Sequence, residues 1–373
     1  MGSISRGRSK HRPRNDERLF GGLYPFIQTA DVKSAELYIT DYSQSYSEFG
    51  LQQSKLWPIG TLCITIAANI ADTAILGIPA CFPDSIMGFN AYEGVANTKF
   101  VKYSFDILQK QCKQISQGAA QDNMSWEKLS TIEFPCPPIE VQNRIVAILC
   151  RYDDLILNYQ KQIRLLEEAA QRLYKDWFVD LHFPGYENVQ VVDGVPEGWE
   201  KKNIDDVYQI KYGKNLSTKE IFSVGEFPVY GANGIIGFYD KKNCDECVVL
   251  ITSRGNGSGD VSMTYEKECF VTNNSFIVRP LRDYEYCGLP YIFESLRMVN
   301  FRSVRTGAAQ PQLTNASIHH LNIIIPAKEL IVKYCRNIEG SYEQIRNLKH
   351  QLRLLTEARN RLLPKLMSGE IAV

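Results

Sequence analysis

The residues of this sequence that could do chemistry are basic and amide side chains gathered in short segments. Near the amino terminus, five fixed positive charges lie within nine positions, at Arg6, Arg8, Lys10, Arg12 and Arg14. The corresponding segment of the second half is also basic, with Lys211, Lys214 and Lys219. Such charges suit contacts with phosphate, and arginine also suits the recognition of guanine in a groove. An ordinary solvated basic tail is the alternative interpretation of the first segment.

A second group of polar residues lies in glycine-rich or loop contexts and comprises Arg254, Asn256, Asn273 and Asn274. Arginine pairs bidentately with guanine, and asparagine pairs bidentately with adenine. Each of these side chains could equally cap a turn. The sequence therefore predicts candidate DNA contacts here without predicting the bases they contact.

Patterns that would indicate catalysis are incomplete. The segment Gly255–Gly259 follows an apolar run, but no Gly-Lys-Ser/Thr follows it, and residues 260–265 are predicted to form a strand rather than a helix that could hold phosphate. The five histidines are scattered, and neither a methyltransferase motif nor a complete set of nuclease carboxylates is found. Cys244 and Cys247 have ligand-like spacing but lack a second close pair. We predict a non-enzymatic protein without a metal or another cofactor.

Composition indicates a folded chain without a bulk attraction for polyanions. The 373 residues are 44% hydrophobic, and 42 basic residues balance 42 acidic ones, so any DNA binding must come from local patches. This length predicts two or three domains. The most apolar stretch, Ile59–Phe82, is interrupted by polar residues and by Pro79, which favours buried strands over a membrane span. No secretory signal is recognised, so a cytoplasmic location without a membrane partner is expected.

An internal repeat organises the chain. Gly118-Ala-Ala-Gln121 recurs as Gly307-Ala-Ala-Gln310, and the same offset aligns Gln162–Leu166 with Gln351–Leu355. Upstream of each shared block the similarity is looser. We therefore predict a variable domain at 1–138, a shared helix at 139–180, a second variable domain at 181–327 and a second shared helix at 328–373. The first domain is expected to be clipped at its amino end, since it has no counterpart of Val195–Ile210.

The shared blocks have the spacing of a coiled coil. Apolar residues alternate four and three positions apart in the first block, at Ile145, Leu149, Tyr152, Ile156, Tyr159, Ile163, Leu166 and Leu173. The matching seam of the second block comprises Ile345, Leu348, Leu352, Leu355 and Leu362. Each helix would be a rod roughly 60 Å long. Two equal seams favour helices that meet each other, and the alternative is that each helix packs on its own domain. Gly340 predicts a weak start to the second helix.

The variable domains are predicted to be α+β. Their strand candidates are rich in β-branched residues and lie at 62–67, 100–102, 247–252, 276–279 and 321–325. Their helix candidates lie at 106–117 and 289–300. The residues thus predict two α+β domains separated by two long helices whose seams meet, with a pseudo-two-fold internal repeat.

An ordered set of motifs covers both halves of the chain. It comprises Tyr24–Asp31, Gly118–Gln121, Pro137–Gln142, Leu173–Phe178, Val195–Trp199, Tyr230–Gly234 and Leu363–Glu370. On these motifs the chain resembles the specificity subunit of type I restriction-modification systems. The second half departs from the pattern at Ala327–Ile331, where the first half has Pro-Ile-Glu-Val-Gln.

The resemblance implies two target-recognition domains, each of which reads one half of a bipartite, asymmetric site in double-stranded DNA. It also implies that the two long helices form an antiparallel coiled coil, which sets the spacing and docks two methyltransferase subunits. Endonuclease subunits then join this core, and this chain is not catalytic. The rival from another class is a coiled-coil scaffold that spaces two protein-binding domains and has no preference for DNA sequence. An unrecognised nuclease or methyltransferase is the second rival.

Overall fold

The computed structural model of the chain describes residues 1–67, 71–117, 133, 135–307 and 310–373, and in 110–117 it describes the backbone alone. The chain divides into two compact units. The first unit comprises Met1–Leu157 with Leu354–Val373, and the second comprises Asn158–Arg353. No helix within the described ranges is long and apolar enough to cross a membrane.

Within its described residues, the first unit contains seven strands and three helices ahead of its long helices. Its strands are β1 (Gly2–Arg6), β2 (Phe20–Phe26), β3 (Tyr38–Ile39), β4 (Gln44–Tyr46), β5 (Leu62–Thr65), β6 (Thr73–Leu76) and β7 (Ile86–Ala91). Its helices are α1 (Thr29–Ser34), α2 (Glu48–Gln52) and α3 (Thr98–Gln117). Five strands form a sheet in the order β1-β7-β5-β6-β3, and β2 pairs with β4 in a separate ribbon. All four residues of β5 and of β6 are buried, so these strands form the centre of the core.

The two long helices are continuous. They are α4 (Ile139–Phe178) and α8 (Lys328–Ser368). Helix α4 begins directly after Pro137 and Pro138, where proline suits a helix start. Helix α8 runs through Gly340, so the predicted weak start is wrong. Buried Tyr334 and Tyr342 on either side of Gly340 supply packing that outweighs the cost of about 1 kcal/mol for a glycine in a helix.

The part of the second unit that the structure describes, 158–307 and 310–353, contains eleven strands and three short helices in addition to its parts of the long helices. Its strands are β8 (Val191–Val192), β9 (Val195–Pro196), β10 (Glu200–Asn203), β11 (Tyr208–Tyr212), β12 (Phe227–Gly231), β13 (Gly234–Tyr239), β14 (Val249–Thr252), β15 (Val261–Met263), β16 (Phe270–Val271), β17 (Ser275–Pro280) and β18 (Asn322–Ile325). Its short helices are α5 (Ile204–Val207), α6 (Leu289–Arg297) and α7 (Asn315–Ile318). The main sheet has the order β11-β17-β14-β15, and β13-β12-β16 form a second sheet.

The two units share one sheet topology. The order β1-β7-β5-β6 of the first unit repeats as β11-β17-β14-β15 in the second, and all of these neighbouring pairs are antiparallel. The predicted α+β class and the internal repeat are therefore confirmed. The predicted strand at 100–102 is wrong, because these residues belong to α3. Phe100, Val101 and Tyr103 are buried there, so their apolar content reflects a packed helix face rather than a strand.

In each unit, α4 and α8 pack against each other in opposite directions. In the first unit, Ile145 and Leu149 near the start of α4 share a buried cluster with Leu363 and Leu366 near the end of α8. In the second unit, Ile163 from the later part of α4 packs with Ile345 and Leu348 from the earlier part of α8. The antiparallel pairing is thus confirmed. Phe100 and Tyr103 of α3 join the first cluster, so α4 also packs on its own domain.

The predicted seam residues differ in burial. Six are buried: Ile145, Leu149, Ile156, Ile163, Ile345 and Leu348. Seven are half-buried: Tyr152, Tyr159, Leu166, Leu173, Leu352, Leu355 and Leu362. The four-segment division of the chain stays a prediction, because each long helix contributes residues to both compact units. The first copy of the repeated motif, 118–121, lies outside the described residues, as do 308 and 309 of the second copy.

Candidate nucleic-acid interface

The amino-terminal basic segment is part of the folded first unit. Strand β1 pairs with β7, and the chain beyond it is held by bonds from the backbone N–H of Arg8 to the Phe82 carbonyl (3.0 Å) and of Lys10 to the Gln53 carbonyl (3.0 Å). The five basic side chains of the segment are all exposed. The structure therefore places Arg6, Arg8, Lys10, Arg12 and Arg14 on the surface of the folded unit instead of on a free tail, and their contact with DNA stays a prediction.

Ion pairs orient part of this basic surface. The Arg14 guanidinium donates to both carboxylate oxygens of Asp84, at 3.0 and 2.9 Å. Arg12 donates to the carbonyls of Ser9 and His11, at 2.7 and 2.8 Å. Because the Arg14–Asp84 pair is exposed and worth only about 0–1 kcal/mol, a phosphate group could replace Asp84 as the partner of Arg14.

Arg18 belongs to the same surface, although its isolated position in the sequence gave no signal. It pairs with Asp16, which also contacts the His11 imidazole at 2.7 Å. The hydrogen bond from Arg18, followed by that from His11, holds the pKa of Asp16 well below its usual range. Asp16 is thus an anion that fixes two neighbouring donors.

In the second unit, backbone hydrogen bonds gather predicted residues from three segments. The Lys214 N–H donates to the Val271 carbonyl, and the Asn273 N–H donates to the Lys214 carbonyl, both at 3.0 Å. The Ser253 N–H donates to the Asn274 carbonyl at 2.8 Å. Lys214, Asn273, Asn274 and Arg254 therefore lie at one end of the main sheet. We call this group the second-unit cluster.

The turn at Gly255–Gly259 completes this cluster. Gly255 and Gly259 have φ angles of +84° and +87°, which favour glycine. Gly255 is bonded to the Pro311 carbonyl at 2.9 Å, and Asn256 is exposed. Strand β15 follows the turn, as predicted for residues 260–265. The turn thus presents Asn256 beside Arg254 and lacks the helix that a phosphate loop needs.

Two predicted lysines lie on other segments. Lys211 is exposed on β11 opposite Ile277, and Lys219 lies in an exposed 3₁₀ turn at Thr218–Glu220. Gln312 was missed by the sequence prediction, although it forms an antiparallel bridge with Arg254. Its position directly after the repeated Gly307–Gln310 motif was the signal that could have found it.

The same backbone framework occurs in both units. The framework consists of three backbone hydrogen bonds, each from an N–H group to a carbonyl. In the first unit, Gly7 donates to Ile86, Arg8 to Phe82 and Ile66 to Ser85. In the second unit, Gly213 donates to Ser275, Lys214 to Val271 and Ser253 to Asn274. A Cβ atom on Gly7 would lie 2.2 Å from the Pro83 carbonyl oxygen, and one on Gly213 would lie 2.3 Å from that of Thr272, so both positions require glycine.

The side chains carried by this framework differ between the units. Arg8 of the first unit corresponds to Lys214 of the second. By the same bonds, Asp84 and Ser85 correspond to Asn273 and Asn274. Two surfaces with one backbone geometry therefore present different hydrogen-bonding groups. Such an arrangement can recognise two different ligands of one chemical class.

A cleft of about 520 Å³ lies beside the basic surface of the first unit. Arg14, Asn15, Gln28, Gln44 and Ser85 contribute its polar lining. The sequence prediction missed Gln28 and Gln44 as site residues. Gln28 lies in the Tyr24–Asp31 motif, but Gln44 is isolated in the sequence, and the pairing of β2 with β4 brings the two together.

The helix pair of the first unit contains a buried polar network. Nε of Arg359 on α8 lies 3.1 Å from Oδ1 of Asp153 on α4, and the Tyr103 hydroxyl of α3 donates to the other oxygen of Asp153. Arg359 also lies 3.5 Å from Asp106, which accepts from buried Lys102. Charges inside a helix interface fix its register, because a slip would leave them without partners.

The second unit also has a tyrosine–carboxylate pair, but here the long helix supplies the tyrosine and the domain helix supplies the carboxylate. Glu294 of α6 is 1% exposed and accepts a hydrogen bond from the Tyr342 hydroxyl of α8 at 2.9 Å. Burial raises the pKa of Glu294, and Arg297 partly opposes this effect. In the first unit the domain helix supplies the tyrosine and the long helix supplies the carboxylate. The two units thus attach their domains to the long helices through unlike pairs.

Among the residues with described coordinates, no group of three or more histidine, cysteine, aspartate or glutamate side chains is arranged to hold a metal ion. Cys244 lies in an antiparallel bridge with Cys269 and not beside a second ligand pair. Burial raises the pKa of Cys247, which keeps it a thiol.

One protein family and several specificity subunits are similar to this chain in sequence. The family described as the type I restriction modification DNA specificity domain matches residues 1–168 and 196–352. The chain is 26% identical over 388 residues to the type I restriction enzyme MjaIX specificity subunit of Methanocaldococcus jannaschii, covering 95% of this chain and 88% of that protein. It is 22% identical over 339 residues to the EcoprrI specificity subunit of Escherichia coli, covering 86% and 81%.

Solved structures show the same fold. The type I restriction-modification S subunit of M. genitalium superposes with a TM-score of 0.56 at 17% identity, covering 98% of this chain and 93% of that one. At this identity the likeness concerns the fold alone. The two matched segments of the family, 1–168 and 196–352, each take in one framework copy described above.

Proposed function

Because the chain belongs to the family of type I restriction-modification DNA specificity subunits, we propose that its two domains read the two unlike halves of a bipartite, asymmetric DNA site. The observation that carries this proposal is the repeated backbone framework with different side chains. A repeated frame positions each reading surface in the same way, and the differing side chains recognise different bases. A protein-binding scaffold would not need a basic residue at the same framework position in both copies, Arg8 in one and Lys214 in the other.

The proposal divides the work between this chain and its partners. The antiparallel helices set the distance between the half-sites, and exposed off-seam residues of α4 and α8 dock two methyltransferase subunits, which restriction subunits then join. Adenine methylation requires the base to be flipped out of the duplex, and we assign that chemistry to the partners and none to this chain. We place the complex in the cytoplasm, because its substrate is the DNA inside the cell.

We expect the methylated sites of a cell that carries this system to share one two-part motif whose halves differ. Two unlike reading surfaces held by one chain cannot produce a palindrome. Genome-wide mapping of methylated adenines measures this directly. A contiguous or palindromic motif would contradict the proposal, and methylation without any sequence preference would favour the scaffold interpretation.

Two substitutions in the second-unit cluster should separate base recognition from phosphate contact. Arg254→Ala is expected to remove the base preference at one position of one half-site. Binding to the preferred base should weaken there by about 1–3 kcal/mol. Lys214→Gln is expected to weaken binding to all sequences and to reduce the slope of log affinity against log salt by about 0.9. Titrations of the complex with the methyltransferase partner, on cognate and substituted duplexes at several salt concentrations, measure both effects.

Lys267→Gln is the matched control for these substitutions, because Lys267 is exposed in the same unit outside the second-unit cluster. Its affinity and salt slope should match those of the unmodified complex. If Arg254→Ala weakened binding to all DNA sequences equally, Arg254 would contact phosphate and its assignment to base recognition would be wrong.

A further inference from the structure

Resting on the proposed function, we infer that Gln44 recognises an adenine in the half-site read by the first domain, and that Gln28 positions the Gln44 amide. Both side chains line the cleft beside the amino-terminal basic surface. The preference concerns one base position of one half-site only.

Gln28 is held in place by helix α1. It is the N-cap residue of α1, where its side chain accepts from the Asp31 backbone N–H while its own backbone N–H donates to Oδ2 of Asp31 at 2.7 Å. These two reciprocal bonds form a capping box. They fix the backbone and the side-chain oxygen of Gln28, so its amide nitrogen points in one direction.

That nitrogen orients Gln44. Nε2 of Gln28 donates to Oε1 of Gln44 at 2.7 Å. Gln44 lies on β4 opposite Phe26 of β2, and its side chain is exposed. A carbonyl oxygen has two acceptor sites, so Oε1 of Gln44 can still accept from the adenine N6 amino group while Nε2 donates to adenine N7. A strand position and a fixed amide provide the rigidity that base recognition requires.

The neighbouring arginines are placed for another task. Arg14 is directed at Asp84, and Arg12 is directed at two backbone carbonyls. Both are exposed, and Arg14 lines the same cleft as the two glutamines, so these charges can meet phosphates that flank the base. Exposed cationic groups beside an amide pair match the usual division between positioning and specificity.

The second unit lacks this amide pair. Phe26 and Val229 occupy the same place in the framework, since Phe26 bridges Cys81 in parallel and Val229 pairs with Phe270 in parallel. The residue opposite Phe26 is Gln44, whereas the residue opposite Val229 is Gly237. Gln28 likewise corresponds to Gly231, two residues beyond Val229. The amide pair therefore belongs to the first domain alone and can contribute to the recognition of only one half-site.

The experiment uses the full chain assembled with its methyltransferase partner and S-adenosylmethionine. The substrates are duplexes in which one half-site is kept constant and each base pair of the other half-site is varied in turn. Both half-sites are tested in this way. The unmodified complex should prefer adenine by about 10- to 100-fold at a position that Gln44→Ala makes permissive. All remaining positions, including the whole second half-site, should change less than about twofold, the scatter expected between independent sites.

Gln28→Ser tests the positioning role. Serine still caps α1 but is too short to reach Gln44, so the same adenine position should relax partly. Adding Gln28→Ser to Gln44→Ala should change nothing further, because the two residues act through one amide. A purely structural role of Gln28 would instead lower the thermal midpoint and add to the effect of Gln44→Ala. Gln52→Ala, at an exposed glutamine of α2, is the control and should leave the motif unchanged.

The outcomes separate this inference from the proposed function. If Gln44→Ala left a bipartite motif intact at every position, Gln44 would not read a base, while the proposed function would stand. If the unmodified complex methylated without a bipartite motif, the proposed function itself would fail. Gln44→Met keeps the length of the side chain and removes the amide. If both Gln44 variants folded but lost methylation on every duplex, the inference would also be overturned.

Discussion

Replacing Asp153 with alanine is expected to lower the apparent free energy of unfolding by about 3 kcal/mol. The substitution leaves the Arg359 guanidinium, whose side chain is only 16% exposed, without its nearest carboxylate inside the helix pair of the first unit. It also removes the acceptor of the buried Tyr103 hydroxyl. Urea unfolding of the purified chain, followed by the helical circular dichroism signal, measures the change.

Glu357→Ala is the matched control for Asp153→Ala. Glu357 pairs with Arg361 on the same helix at four residues' spacing, and the Arg361 side chain is 68% exposed. Removing such an exposed pair should cost about 0.3–0.5 kcal/mol. Replacing Asp153 and Arg359 together by leucine should restore most of the loss, because apolar residues can substitute for a buried ion pair. Equal losses for Asp153→Ala and Glu357→Ala would show that the network does not stabilise the interface.

The long helices could be predicted from sequence because their apolar spacing extends over many turns. Two positions on that pattern are not apolar, Ser341 and Arg359, and Arg359 places a charge where the repeat calls for a hydrophobic residue. Its partner Asp153 lies far away in sequence, so the spacing alone could not identify the ion pair. The strand wrongly predicted at 100–102 illustrates the opposite case, since a short apolar run has no detectable period and tertiary packing decides its structure.

The sequence indicated the residue types of the two proposed reading surfaces, but only part of their positions. The amino-terminal charges were found because they are close in sequence. The correspondence of Arg8 with Lys214 and of Ser85 with Asn274 depends on backbone hydrogen bonds, and insertions between the two copies hide it from a comparison at one offset. Gln44 carries no local signal, and the Tyr24–Asp31 motif contains Gln28 without marking it as a contact residue. Single side chains that meet through strand pairing are therefore the part of a recognition site that sequence reasoning misses.

Removing seven residues from each long helix is expected to shorten the gap between the two half-sites by about 3 base pairs, from a shortening of about 10 Å. Residues 154–160 of α4 and 351–357 of α8 suit this change, because Asp153 with Arg359 and Ile163 with Ile345 remain on either side. Seven residues are one coiled-coil repeat, so both seams keep their facing sides. Mapping of methylated adenines in cells with the shortened chain gives the new motif.

The sign of the change makes this prediction specific to a spacing role. Duplicating the same seven residues in each helix should lengthen the gap by about 3 base pairs, while the bases of both half-sites stay the same. Deletion in α4 alone puts Asp153 and Arg359 out of register, so it should destabilise the chain instead of giving a new motif. If the shortened and the lengthened chains both folded and both kept the original gap, the helices would not set the spacing. The distance between half-sites would then be fixed by the methyltransferase partners, because they would be the remaining bodies in contact with the DNA.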